Sequence, residues 1–328
     1  MDRTRFAEIA AAFPRRRVVV LGDAMLDRYV TGPADRVSPE APVPVVRVDR
    51  EWDAVGGAAN VAANVLSLGA RCDVLGVVGK DDAGRAVERV LAEMGGGCHF
   101  VRAESRETTV KTRVLARGQQ VVRVDREHTA PISSATRAEL AARLRTRLPG
   151  AQALVLADYD KGVLSLPLIR HAIDAASGLG VPVVADPKRR NFFSFSGATV
   201  FKPNRGELEA ALGEPARPRD PAWIEAARVR VGAEHLLLTL GADGMALASP
   251  SGTLRRIRVR AHAVYDVSGA GDTVAAAVAV ALGARATPRE AVELAAAAAA
   301  AGVAKVGVAT VTPDEIGSLL PARPGMSI

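Results

Sequence analysis

The chain has 328 residues, in which 43 Lys and Arg outnumber 36 Asp and Glu for a net charge of +7. A composition of 48% hydrophobic and 24% charged residues excludes disorder and suits either one large α/β domain or two ordinary ones. Two cysteines and five histidines isolated in sequence argue against a disulfide framework or a zinc site, and no apolar run approaches the about twenty residues of a membrane span.

The N-terminal stretch MDRTRFAEIAAAFPRRR lacks the continuous apolar segment of a signal peptide, so a soluble cytoplasmic protein is expected. Its basic residues 15–17, like those of 255–260, have no interleaved aromatics to stack bases. The positive balance therefore favours small anionic ligands over nucleic acid.

From residue 17 onward, apolar β-branched runs alternate with helical patterns. Residues 17–21, 73–78, 153–157, 182–185, 199–201 and 235–240 read as buried strands. Between them, 57–68, 82–94, 133–147, 163–176 and 221–231 read as helices. This is βαβ logic, which predicts a mostly parallel central sheet with helices on both faces. Two stretches break the alternation. Three prolines in RVSPEAPVPVVRVDR, residues 36–50, exclude a helix, while 109–124 holds two strand-like runs around Gly118. Together they predict a small inserted β-sheet, spanning about 30–50 and 98–126, that serves as a lid, an edge extension or a dimer surface. With no linker or repeat, residues 1–328 read as a single domain.

At the first turns of the chain, Asp23 ends a strand and Gly56-Gly57 precedes Asn60 on the next helix. Short donors and acceptors at such an edge suit sugar hydroxyls, although a loop Asp and a helix-surface Asn need no ligand. Further on, Asn204 and Glu207 flank a turn after a strand. A carboxylate and an amide there suit a hydrated Mg²⁺, and the same spacing fits an N-cap with a capping-box Glu. Thr239, Gly241 and Gly244 read as a glycine turn or as a rest for a nucleotide.

The strongest signal is Ser268-Gly269-Ala270-Gly271-Asp272-Thr273, followed at once by a helix-forming run. Small residues at a helix N-terminus turn successive N–H groups toward an anion. An Asp in a first helical turn can be a simple cap, but Gly269 and Gly271 are costly unless something approaches the backbone closely. With a phosphate over the glycines, Asp272 lies beside it as the base for an attacking hydroxyl. No G-x-x-x-x-G-K-[ST] is present, and Val274 stands where a G-x-G-x-x-G would need its last Gly.

Jointly these segments resemble the ribokinase-type, or PfkB, carbohydrate kinases, on Gly56-Gly57 with Asn60 and on Asp266-Val-Ser-Gly-Ala-Gly-Asp272. Within that family, GDAMLDRYVTGPADRVSPEAPVPVVRV, KTRVLARGQQVVRVD, LADYDKGVL and VADPKRRNF are similar to heptose 7-phosphate kinases. The resemblance implies a ribokinase-like fold and transfer of phosphate from ATP to C1 of D-glycero-β-D-manno-heptose 7-phosphate, toward ADP-heptose and lipopolysaccharide. It makes Asp272 the base and Gly269, Ala270 and Gly271 the anion hole. Asn204 and Glu207 would order Mg²⁺, while Thr239, Gly241, Gly244 and Ser268 lie along the nucleotide. Asp23, Gly56, Gly57 and Asn60 would hold the sugar, and Arg113, Arg117, Lys161 and Lys188 are candidates for its distal phosphate. A monovalent cation is a further candidate cofactor, and a second copy docked through the lid the expected partner. No H-x-G-H motif of a fused nucleotidyltransferase occurs, which implies a kinase standing alone.

Overall fold

Strict alternation along the strand Arg17–Gly22 sends Val18 and Val20 into one hydrophobic cluster and Val19 and Leu21 into another. A sheet buried on both faces follows, and the computed structural model, which describes residues 1–257, 265–305 and 307–322, has one. Arg258, Val259 and Arg260 of the second basic cluster lie outside the described residues.

Among the described residues the main sheet has nine strands. From one edge they run Thr253–Ile257, Met245–Ser249, His235–Thr239, Val200–Phe201, Val183–Asp186, Ala153–Ala157, Arg17–Gly22, Arg71–Leu75 and Gly97–Cys98. Every pairing from His235–Thr239 to Gly97–Cys98 is parallel, while at the other edge Met245–Ser249 pairs antiparallel with both His235–Thr239 and Thr253–Ile257. The helices Ala58–Ser67, Ala270–Gly283 and Pro288–Val303 pack on one face; Ser134–Arg147, Leu166–Gly178 and Pro221–Val231 cover the other. The expected strand 73–78 is broken at Gly76, where a Cβ would sit 2.6 Å from the Gly22 carbonyl oxygen. Its second half, Val77–Gly79, leaves the main sheet and pairs with Val101–Ala103.

A second sheet of four strands, in the order Gln119–Arg126, Thr109–Ala116, Ala24–Thr31 and Arg50–Gly57, stands beside the carboxyl ends of the main sheet. Its bounds differ from the segments 30–50 and 98–126 expected from sequence. Residues 32–49 form only the two-residue ribbon Arg36–Val37 with Pro44–Val45, because four prolines remove ladder donors there. Gly97–Cys98 and Val101–Ala103 belong to the edge of the main fold instead. The period of two sorts this small sheet as well. Asp27, Lys111 and Arg113 line the cleft below it, whereas Arg28, Thr112 and Val124 border a separate hollow of about 510 Å³ behind it.

Candidate active site

In an open parallel sheet, ligands collect outside the carboxyl ends of the strands, and a cleft of about 340 Å³ lies there. Tyr159 follows the strand Ala153–Ala157, and Asp186 and Lys188 end or follow Val183–Asp186. Lys202, Asn204 and Glu207 follow Val200–Phe201, and Thr239 closes His235–Thr239. Ser268, Gly269, Gly271 and Asp272 form the floor, with Gly57, Lys111 and Arg113 on the small-sheet side.

The floor is the N-terminus of the 14-residue helix Ala270–Gly283. Gly269 caps it with φ 77°, and a Cβ there would stand 2.9 Å from the Asn60 amide nitrogen. Only glycine gives both the left-handed turn and the close approach. In the first turn of the helix the Ala270 N–H is taken by the Val267 carbonyl at 3.2 Å, while those of Gly271 and Asp272 have no partner within the helix, an arrangement favouring an anion by up to ~2 kcal/mol when partly buried.

Asp272 is buried, yet both of its oxygens have donors. Asn60 Nδ2 donates to Oδ2 at 2.7 Å, and the Tyr159 hydroxyl donates to Oδ1. Behind Asn60 the network continues: Asn64 Nδ2 donates to the Asn60 carbonyl at 2.9 Å, and Thr273 Oγ1 donates to Asn64 Oδ1 at 2.9 Å. Burial pushes the Asp272 carboxyl up to about 6, against the two hydrogen bonds and Lys202, with Asp186 adding to the rise. Charge-assisted bonds of about 1.5–3 kcal/mol each do not return it to the ordinary carboxylate range. A carboxyl so poised is ionised at neutral pH and remains a competent proton acceptor.

Asn204 and Glu207 form the capping box in full, Glu207 N to Asn204 Oδ1 and Asn204 N to Glu207 Oε2 both at 2.8 Å. Glu207 has a second use, because its Oε1 accepts from Lys188. Burial opposes the charge on Lys188, but Asp186 and Glu207 hold its ammonium above the ordinary value. Among the described residues no three His, Cys, Asp or Glu side chains converge into a metal cage. That donor set fits Mg²⁺, which keeps most of its waters and takes one or two carboxylates with substrate phosphates.

Not all sequence-selected residues reach the cleft. Asp23 is 1% exposed, and its carboxylate accepts the backbone N–H of Tyr159, Lys161 and Val163 at 2.8, 3.1 and 3.0 Å. It clamps the loop 158–163 rather than facing a sugar. Lys161 points away from the cleft, pairing with Glu127 at 2.7 Å, because the positive φ of 56° at Asp160 turns the chain between it and Tyr159. Arg117, with φ 51° in a two-residue hairpin turn, pairs with Asp35 at 2.8 Å in solvent. Asn60 serves Asp272, Gly56 is packed under the Asp27 carboxylate, and Gly241 and Gly244 shape the turn beside Thr239 without lining the cleft. Ala270 opens the floor helix.

Sequence reasoning missed Tyr159, Lys111 and Lys202. The last forms a buried ion pair with Asp186 at 3.0 Å, and its ammonium stands 3.5 Å from where a Gly271 Cβ would be. A lysine directly after an apolar strand was the available signal.

A helix N-terminus of small residues, a poised carboxyl beside it and cations around both, at the carboxyl edge of a parallel sheet, define a phosphotransferase. The chain belongs to the pfkB family of carbohydrate kinases: the pattern described as pfkB family carbohydrate kinase matches residues 15–315. It is 44% identical over 315 residues to the bifunctional protein HldE of Caulobacter vibrioides, covering 94% of this chain and 64% of that one. HldE of Paramagnetospirillum magneticum is also 44% identical, over 91% of this chain and 62% of its own length. The chain thus spans less than two thirds of these relatives. Phosphofructokinase-2 of Escherichia coli, solved with substrates and products, superposes with a TM-score of 0.77 at 20% identity over 93% of this chain and 98% of that one. Ribokinase of Arabidopsis thaliana with ribose and ATP gives 0.71 at 22%, over 93% and 98%. The fold is accordingly ribokinase-like. Among the described residues, no helix is long and apolar enough to cross a membrane.

Proposed function

We propose that the chain transfers the γ-phosphoryl group of ATP to the C1 hydroxyl of D-glycero-β-D-manno-heptose 7-phosphate, yielding the 1,7-bisphosphate for ADP-heptose and lipopolysaccharide synthesis in the cytoplasm. The observation that supports a phosphorylated sugar is the cationic wall facing Asp272. Arg113 stands directly opposite Arg123 across an antiparallel pair, with Lys111 two residues away on the same strand. Like charges directly opposite destabilise a sheet. Asp27, Asp125 and Glu127 offset part of that repulsion, the first two accepting from Arg113 and from Lys111 and Arg123, and Glu127 pairing with Lys111 at 3.7 Å. A phosphate ester on the substrate would offset the rest. The identity to HldE proteins favours the heptose.

In this reading Asp272 accepts the proton of the acceptor hydroxyl as the new O–P bond forms and the bond to the β–γ bridging oxygen breaks, releasing ADP. The N–H groups of Gly269 and Gly271, with that of Ala270 shared with the Val267 carbonyl, would meet the oxygens that gain charge. Lys202 and Lys188 add positive charge on the nucleotide side, where Thr239 and Ser268 border the cleft. Asn204 and Glu207 would hold Mg²⁺ through water, and that ion would neutralise charge on the phosphates. The small sheet would close as a lid to exclude water, and its outer strand would dock a second copy of the chain.

A panel of ribose, fructose 6-phosphate, adenosine and heptose 7-phosphate, with ADP release as readout, tests the assignment. Turnover on heptose 7-phosphate at least about 10²-fold above the others in kcat/KM is expected. Turnover on ribose or adenosine with none on the heptose would overturn it.

A further inference from the structure

Both oxygens of Asp272 are held, but from unlike surroundings. The Oδ2 side is dry: Asn60, Asn64 and Thr273 are 2%, 0% and 1% exposed and satisfy one another. The Oδ1 side opens on the cleft, and its donor is Tyr159, on the loop 158–163. That loop has no helix or strand to fix it; its N–H groups converge instead on Asp23. Asp158, at the loop's start, is fixed in turn, accepting from Asp160 N at 2.9 Å and from Asn191 Nδ2 at 3.1 Å. The ring of Tyr159 lies under the Lys188 ammonium, 5.5 Å from ring centre to nitrogen, between the base and the Lys188–Glu207 pair.

We propose that Tyr159 is the positioning residue of the transfer reaction, holding Asp272 ionised with its cleft-side oxygen turned toward the acceptor hydroxyl, and that Asp23 is the anchor fixing Tyr159. This rests on the kinase reading above. A donor to one carboxylate oxygen favours the charged form over the acid and leaves that oxygen a second lone pair for the substrate. Burial raises Asp272, and the Tyr159 hydrogen bond is the largest influence opposing the rise. The phenol itself is held well above its ordinary value, by burial first and then by Asp272, so it remains a donor throughout the working range.

Other charges face Asp272 as well. Lys202 and Asp186 end the two adjoining strands, Lys188 and Glu207 stand beyond the Tyr159 ring, and Asp27, Lys111 and Arg113 look across from the small sheet. Tyr159→Phe leaves all of them, and the ring under Lys188, in place. It removes one donor.

The test uses the full chain. Asp272 is titrated by ¹³C carboxyl NMR without substrate, its signal assigned by loss in Asp272→Asn, and kcat is measured against pH with the accepted sugar. In Tyr159→Phe both the titration and the acid limb should rise by about one pH unit, with kcat at pH 7 down about twofold through the smaller ionised fraction and the KM for ATP within about twofold. Incorporating 3,5-difluorotyrosine at 159, a stronger donor, should move both the other way. An Asp272 titration unmoved in Tyr159→Phe, in protein with wild-type ATP affinity and melting temperature, overturns the proposal. Wild-type protein silent on every sugar overturns the kinase reading instead, while the substrate-free titration still decides the Tyr159 contact.

Discussion

The helix Ala270–Gly283 and the strand Gln119–Arg126 are unlike in almost every physical respect. From Asp272 to Ala281 the helix is buried throughout, its small side chains letting it lie against Ala58–Ser67 and Pro288–Val303. All eight residues of the strand are exposed, and Arg123 pairs with Asp125 along it. The lesson is a division of labour: the carboxyl proposed as the base is tuned where water is excluded, and the charge proposed to meet a substrate or partner sits where water can leave and return. Disturbing the first region should alter chemistry at constant binding; disturbing the second should alter binding at constant chemistry.

The largest effect expected is that of Asp272→Asn. An amide at this position accepts no proton at neutral pH, so kcat should fall about 10³-fold while ATP affinity by calorimetry stays within about twofold. Loss of nucleotide binding in step with turnover would break the comparison, since the helix floor would then serve binding rather than chemistry.

Next in size is the cationic wall. Lys111→Met should raise the KM for the phosphorylated sugar about tenfold with kcat little changed, and should do nothing to an unphosphorylated analogue. Arg117→Met, a change of the same kind on the same hairpin, should shift KM by less than about twofold, because its partner Asp35 lies in solvent. A large effect at Arg117 with none at Lys111 would mean that the hairpin folds over in the reactive state.

The contrast between the two regions also explains what could be read from sequence. Residues 153–157 and 221–231 were legible because an unbroken apolar run and a proline-started amphipathic turn have few alternatives; the observed elements match them to the residue. Gly269 was legible as a turn because a glycine just before a helix-forming run suits a left-handed cap, which its φ of 77° provides. Ala24–Thr31 was not recognised as a strand, since it buries Asp27 among apolar neighbours and alternates poorly. Arg50–Gly57 was hidden because Gly56-Gly57 looks like a helix start, and Gly57, with φ 59°, both ends that strand and caps the helix. Tyr159 gave no signal at all. Its partner is 113 residues away, and a loop tyrosine bears no mark of the carboxylate it meets. Local rules find a glycine turn at a helix start, whereas long-range side-chain pairing needs the fold.

The smallest effect on turnover should come from the back of the small sheet. Gln119–Arg126 is its edge strand, and Val122 and Val124, 47% and 57% exposed, lie on the face turned away from Lys111 and Arg113. An open edge with exposed valines is the arrangement that pairs with another chain. A second copy is the occupant favoured here, because an identical strand brings the same valines to meet them. Burying a valine contributes about 1.5–3 kcal/mol, and a symmetric contact counts each one twice. The double variant Val122→Glu with Val124→Glu should therefore convert a dimer to monomer in sedimentation at micromolar concentration. Turnover per chain should stay within about threefold, since neither side chain lies on the cleft side. Wild-type protein that sediments as a monomer would remove the dimer from this reading, and a variant that loses turnover together with its dimer would show that the exposed sheet reaches the chemistry after all.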